Sequence, residues 1–270
     1  MKERLTVDEL KNYELNILKF IDYVCKKYDI KYFVNYGTLL GSVRHKGFIP
    51  WDDDIDISMY REDYERFQKA VIEEDNDRYG ILSKDNSEWY FQNFFVVIDK
   101  YTLLEDNVKR NRRDSNVFVD VFPIDRFNDL NFVKKAHLMV TLRHICFIKK
   151  KFIIHKDSRI KDFCRVTFWY LLKFVNPRFF TKKIEKLVEK YSDENGIYEG
   201  SVGVDKTGMK EVFKAGIYDE LIELPFEDMM VPAPKNYDKI LTQFYGDYMQ
   251  KPSDAEIEYK SHLLDAYRIK

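Results

Sequence analysis

Apolar residues near the N-terminus recur with helical period. Thr6-Val7-Asp8-Glu9 fits the capping-box pattern, and Leu10, Tyr13, Ile17, Phe20, Ile21 and Val24 follow at three- and four-residue intervals, predicting a helix to about Tyr28. Lys31 to Asn35 reads as a short strand, Gly37 to Arg44 as a short helix, and the stretch around Gly47 and Pro50 as a loop. Asp54-Ile55-Asp56-Ile57-Ser58 alternates strictly, as a half-buried strand does. Helical spacing then returns from Arg61 to Val71 through Tyr64 and Phe67. Further strands are expected at Tyr90 to Ile98, Tyr101 to Leu104 and Asn116 to Phe122. From about Asn128 to Lys190 the pattern is helical, and the last third mixes short strands, the Val231-Pro232-Ala233-Pro234 turn and a helix near Tyr237 to Phe244. No repeat or low-complexity linker divides the chain. The expected organisation is an α/β (α+β) core over residues 1–127, a basic helical insertion over 128–200, and a C-terminal part, 201–270, that completes the core.

Composition narrows the function classes. With 45% apolar residues among 270, the chain can bury a large core, and its 45 basic and 46 acidic side chains leave no global field to recruit nucleic acid. Cys25, Cys146 and Cys164 are odd in number and lack a C-x-x-C pair, which argues against a disulfide framework and for a reducing compartment. The mixed charges of Met1 to Leu5 are not those of a signal peptide or anchor. The longest apolar stretch, Val166 to Val175, is interrupted by Lys173 and is shorter than the ~20 residues of a spanning helix. A cytoplasmic protein is expected.

The chemistry concentrates around Asp54 and Asp56. Residues two apart in a strand share a face, so both carboxylates point the same way and can share a hard divalent cation, Mg²⁺ or Mn²⁺. Upstream of Asp54, with eleven residues between, stands Gly41-Ser42, small residues of the kind that let backbone N–H groups approach phosphate at a helix start. Val117-Phe118-Val119-Asp120-Val121-Phe122 is an apolar run broken by one Asp, a third carboxylate whose burial a nearby cation would offset. Asp52-Asp53-Asp54 by itself would be an ordinary solvated turn. An EF-hand reading fails because its sixth position is Ile57 and its twelfth Asp63.

At this level the residues resemble a known family. The stretch Asn35-Tyr36-Gly37-Thr38-Leu39-Leu40-Gly41-Ser42-Val43-Arg44-His45-Lys46-Gly47-Phe48-Ile49-Pro50-Trp51-Asp52-Asp53-Asp54-Ile55-Asp56-Ile57 is similar to the signature of the LicD family of bacterial phosphotransferases, whose animal relatives include fukutin-related protein. Val119 to Asp125 resembles that family's second acidic strand, and Val231 to Pro234 with Phe244 to Met249 its C-terminal motif. Ser42 departs from the Ala common in the family. The resemblance implies a nucleotidyltransferase-like fold, a mixed sheet flanked by helices, and transfer of phosphocholine or another alcohol phosphate from a CDP-alcohol to a sugar hydroxyl of a lipid-linked glycan precursor. It implies Asp54, Asp56 and Asp120 as metal ligands and catalytic groups, Asp120 doubling as ligand or base. Gly37, Thr38, Gly41, Ser42, Arg44 and Lys46 would then face the donor's phosphates, although Arg44 to Lys46 equally suits a surface loop. Lys100 is a more distant phosphate candidate.

A choline head group requires aromatic faces, for which Trp51, Trp89, Tyr90 and Phe91 are the sequence candidates. His137, His144, His155 and His262 read as surface or packing residues. A D-x-D glycosyltransferase, a nucleotidyltransferase releasing pyrophosphate and a non-catalytic binding module are the rival readings. Between Arg143 and Arg165, Lys149, Lys150, Lys151, Lys156, Arg159 and Lys161 face only Asp157 and Asp162 and adjoin Phe168-Trp169-Tyr170-Leu171-Leu172. That suits either an anionic membrane surface, at the inner face of the membrane, or a solvated basic helix face.

Overall fold

The computed structural model describes residues 2–105, 115–147, 159–172, 174–204, 208–253 and 265–269. Its first helix, α1 (Val7–Lys27), begins where the capping box requires: Glu9 N–H donates to Thr6 Oγ1 at 3.2 Å, and Thr6 N–H donates back to Glu9 Oε2 at 2.8 Å. The stripe of Leu10, Ile17, Leu18, Ile21 and Val24 is buried and packs across the central sheet on β5 (Phe95–Glu105) and β6 (Ser115–Phe127).

Among the described residues that sheet has nine strands. Its main path runs β1 (Lys2–Arg4), β11 (Asp265–Ile269), β5, β6, β3 (Asp56–Tyr60) and β2 (Phe33–Val34), with β4 (Tyr79–Leu82) beside β5, β7 (Tyr198–Gly200) beside β6 and β8 (Phe213–Lys214) beside β7. The β3–β6 pair is parallel and the other pairs are antiparallel, so the sheet is mixed, as expected. Helix α3 (Arg61–Glu73) covers β3 and β6. Helix α2 (Tyr36–Arg44) follows β2 and packs on β3 and on α7 (Tyr237–Tyr245), while the hairpin β9 (Leu221–Phe226) and β10 (Met229–Pro234) leans on β2 and α2.

Two strand expectations are corrected. Tyr101 to Leu104 is not separate: it continues β5 through an irregularity between Asp99 and Leu104, where the Thr102 hydroxyl accepts from Val117 N–H at 2.8 Å and stands in for a lost ladder bond. Tyr90 to Phe94 is not strand. Its carbonyls are taken by helix side chains, since Phe91 O accepts from the Thr181 hydroxyl and from Arg143 Nη1. Strand β4, with no apolar alternation to announce it, was not anticipated.

Among the described residues, the stretch from 128 to about 190 forms α4 (Leu130–Phe147), α5 (Arg159–Leu172) and α6 (Arg178–Tyr191), while residues 198–200 of the segment belong to the sheet as β7. Helix α4 packs on α5, α6 and the 3₁₀ turn Gly208–Glu211, over a small core of Phe127, Phe132, Val133, Ala136 and Val202. Among the described residues no helix is long and apolar enough to cross a membrane.

Candidate active site

Asp56 begins β3, and the parallel register sets it directly opposite Asp120 on β6. Neighbouring strands lie about 4.8 Å apart, so the two carboxylates project from the same face at nearly the same height. On β6 the period of two sends Val117, Val119 and Val121 into the core and turns Phe118, Asp120 and Phe122 to the other side. Asp120 is therefore half-exposed at a cleft, not enclosed within the strand as its apolar neighbours suggest. Asp54 precedes the strand and reaches the same cleft, of about 420 Å³. Asp54 is exposed as a residue, yet desolvation of its carboxyl by the surrounding protein, then the charges of Asp56, Asp52 and Asp53, raise it above its usual range. A cation would relieve that crowding of like charge.

Main-chain geometry holds the acidic strand in place. Asp56 N–H donates to Thr38 Oγ1 at 2.8 Å, Asn35 N–H donates to Asp56 O at 3.1 Å, and Asp120 N–H donates to Ile55 O at 3.0 Å. Asn35 also caps α2 by accepting from Tyr36 N–H at 3.0 Å. Tyr36 adopts φ +47°, left-handed backbone that costs a residue with a Cβ on the order of 1–3 kcal/mol, and its ring thereby reaches the cleft. Gly37 is small for a steric reason: a Cβ there would stand 2.8 Å from Asp52 Oδ2.

The expected phosphate residues separate into three groups. Gly41 and Ser42 are not at a helix start, as anticipated, but buried in the middle of α2; the Ser42 hydroxyl donates to Thr38 O at 2.9 Å, and a Cβ on Gly41 would come 2.4 Å from Gly47 O. Their smallness serves packing of the following loop. Gly37 and Thr38 occupy the first turn, beside the acidic strand. Arg44 lies in a second cleft of about 570 Å³ that also takes in Gly37, Trp51, Asp52 and Tyr248 and meets the first at Tyr245. Its guanidinium donates to Tyr248 O at 2.7 Å and lies 5.8 Å over the Trp51 ring. Lys46 is exposed and lines neither cleft, and Lys100 is committed to Asn76 O at 2.6 Å.

The aromatic candidates also divide. Trp51 belongs to the second cleft. Tyr90 is buried behind the first, edge-on to Trp89 at 6.2 Å and to Phe94 at 6.3 Å, so neither Trp89 nor Tyr90 forms its wall. The wall comprises residues that spacing did not single out: Tyr36, Phe94, Phe122 and Tyr245, with Gln92 and Glu211. Helix α4 closes it with Val140, Arg143 and His144. Arg143, grouped by sequence with a membrane-facing basic face, is 2% exposed; its guanidinium donates to Asn93 Oδ1 and to Val204 O at 2.9 Å. His144 likewise belongs to the cleft instead of the surface. Phe122 was findable, being two residues from Asp120 in a strand; Arg143, His144 and Glu211 carry no local signal.

Among the described residues no three His, Cys, Asp or Glu side chains are grouped so as to hold a metal ion together. Mg²⁺ needs none: it commonly takes one or two carboxylates and completes its octahedron with phosphate oxygens and water. Asp56 and Asp120, with Asp54 beside them, supply hard oxygens of that kind and fit such an ion.

Comparison with known proteins follows the same lines. Residues 29–171 match the family described as LicD/FKTN/FKRP, nucleotidyltransferase domain. The chain is 31% identical over 279 aligned positions to the lipopolysaccharide cholinephosphotransferase LicD of Haemophilus influenzae, covering 98% of this chain and 99% of that protein. An uncharacterised protein of Rickettsia typhi is 43% identical over 70 residues, 26% of this chain and 23% of its own; one from Rickettsia prowazekii is 51% identical over 45, or 17% of each. Family match, near-full-length similarity and a mixed sheet carrying paired acidic residues agree: the chain belongs to the LicD family and is a phosphotransferase.

Proposed function

We propose that this protein transfers phosphocholine, or a related alcohol phosphate, from a CDP-alcohol to a hydroxyl of a lipid-linked cell-surface glycan precursor, releasing CMP. The observation that carries this reading is the register pairing of Asp56 with Asp120 at one cleft, in a chain similar along its length to a lipopolysaccharide cholinephosphotransferase. A bound Mg²⁺ or Mn²⁺, held by Asp54, Asp56 and Asp120, would supply charge neutralisation at the phosphate oxygens and the departing CMP. The chain's residues do the rest. The half-exposed Asp120 carboxylate accepts the proton of the acceptor hydroxyl as that oxygen bonds to the alcohol-bearing phosphorus, and the bond to the CMP oxygen breaks with its electron pair. Arg143, anchored by Asn93 and Val204, brings fixed positive charge to the α4 wall. The second cleft offers the nucleotide half an aromatic face, Trp51, and a guanidinium, Arg44.

The test is incubation with Mg²⁺, a glycan acceptor and a panel of CDP-choline, CDP-glycerol, CDP-ribitol, UDP-sugars and NTPs. CMP release is expected with CDP-choline foremost, abolished by EDTA and restored by Mg²⁺. Pyrophosphate release from NTPs, or nucleoside diphosphate from UDP-sugars, would instead support the nucleotidyltransferase or glycosyltransferase reading.

A lipid-linked acceptor calls for a way to meet the membrane. Helix α5 and Phe174, two residues past its C-terminal end, leave Ile160 76%, Phe163 73%, Leu171 68% and Phe174 84% exposed, while α5 packs on α4, which lines the cleft. Lys149, Lys150, Lys151 and Lys156 lie outside the described residues, as do the side chains of Arg159, Lys161 and Arg165. In sequence they flank or interleave this stripe, and each basic residue near an anionic surface contributes ~1 kcal/mol. Liposome flotation checks the contact. The protein should float with anionic but not neutral vesicles, and both salt and Lys149, Lys150 and Lys151→Glu should weaken it; no flotation at low salt would refute membrane docking.

A further inference from the structure

We propose that Tyr36, Phe94, Phe122 and Tyr245, together with the Glu211 carboxylate, form the binding site for the quaternary ammonium of the donor's choline head group. This rests on the phosphocholine reading above and assigns recognition of the head group to particular side chains.

The chemistry of the ligand sets the requirement. A trimethylammonium group has no N–H to donate, so hydrogen-bond acceptors cannot grip it by direction. Aromatic faces, which present the negative part of their quadrupole, and a nearby carboxylate are what distinguish it from a neutral group of the same shape. The cleft beside Asp56 and Asp120 provides both. Its aromatic wall is continuous: Phe94 lies 4.7 Å from Phe122, Phe122 meets Tyr36 edge-on at 5.2 Å, and Tyr36 stacks on Phe244 at 5.3 Å, whose chain neighbour is Tyr245. Glu211, only 3% exposed, lines the same cleft from the 3₁₀ turn. Its carboxylate brings negative charge to that cleft. Tyr36 reaches the wall only through its left-handed backbone, a local strain concentrated at this site.

Position along the strand agrees. Phe122 follows Asp120 by two residues on the same face, roughly 6.6 Å further along β6, a span comparable to the four bonds from phosphorus to nitrogen in phosphocholine. A phosphate seated at Asp56 and Asp120 would bring its ammonium group to the rings. The sequence candidates Trp89 and Tyr90 do not line this cleft, and Tyr90 is buried edge-on to Phe94.

The test compares ligands before it compares variants, so that it does not depend on a variant folding. Isothermal titration of the intact protein with Mg²⁺ should show CDP-choline binding about tenfold or more tightly than CDP-3,3-dimethylbutanol, in which a neutral tert-butyl group replaces trimethylammonium. Tyr245→Leu and Phe94→Leu should each reduce that ratio to within about threefold, and Glu211→Gln should reduce it as well, while CMP affinity stays unchanged in the Phe94 and Glu211 variants, whose residues line only the first cleft. Equal binding of the two ligands to the unmodified protein would overturn the site, as would a ratio that survives both aromatic substitutions; CMP binding would then leave the CDP-alcohol reading standing. Failure of CMP and both CDP-alcohols to bind would remove the donor reading and this inference with it.

Discussion

Asp56→Asn is expected to lower the rate of alcohol-phosphate transfer by roughly a thousandfold or more while leaving thermal unfolding close to that of the unmodified protein. Phosphoryl transfer leaves the protein little covalent work, so positioning and charge neutralisation supply most of the rate. Asp56 contributes to both through one carboxylate facing Asp120 across a parallel strand pair. Stability should hold because the folded protein already crowds Asp52, Asp53, Asp54 and Asp56 together, and the substitution removes one of the repelling charges. The backbone bonds that place the residue, Asp56 N–H to Thr38 and Asn35 N–H to Asp56 O, do not involve the lost charge. Asp54→Asn should behave alike. Steady-state CMP release beside a melting curve checks the pair, and near-normal turnover in either variant would remove these residues from the chemistry.

Arg61→Met should instead cost stability, about 3–5 kcal/mol, with little effect on the activity of molecules that remain folded. Asp125 ends the apolar part of β6 with a side chain only 1% exposed, and Arg61 at the start of α3 engages it through both ends of the guanidinium, at 2.8 and 2.6 Å. Removing the arginine strands a buried charge. The pair lies roughly 16 Å along β6 from Asp120, at the opposite end of the parallel strands, so the cleft should be undisturbed. Urea unfolding measures the loss, and the double substitution Arg61→Met with Asp125→Leu should recover most of it, because an apolar pair leaves no charge unsatisfied. A single substitution costing under about 1 kcal/mol would mean that Asp125 is stabilised by other means.

These two aspartates show how far spacing alone carries. Asp120 and Asp125 stand in one sequence stretch and both interrupt apolar runs, yet one opens on a cleft and the other is locked to Arg61. The difference depends on which elements cover the two faces of β6 at each height. Gly41-Ser42 illustrates the converse: a residue pair of the right composition at a suitable distance from Asp54 lies within α2, because the helix begins five residues earlier at the Asn35 cap.

The features legible in the residues alone are local and periodic. The capping box started α1, the alternation of Asp54 to Ser58 marked a strand that in the fold begins only at Asp56, and the run from Val117 to Phe122 foretold a strand with one carboxylate. These follow from fixed backbone geometry and from the need to bury apolar faces. The family resemblance extended them to a nucleotidyltransferase-type fold. Only the tertiary structure decided the register that sets Asp56 against Asp120, the crossing of α4 that brings Arg143 and His144 to the cleft, and the choice of Tyr36, Phe94, Phe122 and Tyr245 over Trp89 and Tyr90 as its wall. Those choices join residues far apart in the chain, and the packing that selects among them is set by side chains on every neighbouring element, so no local window contains it.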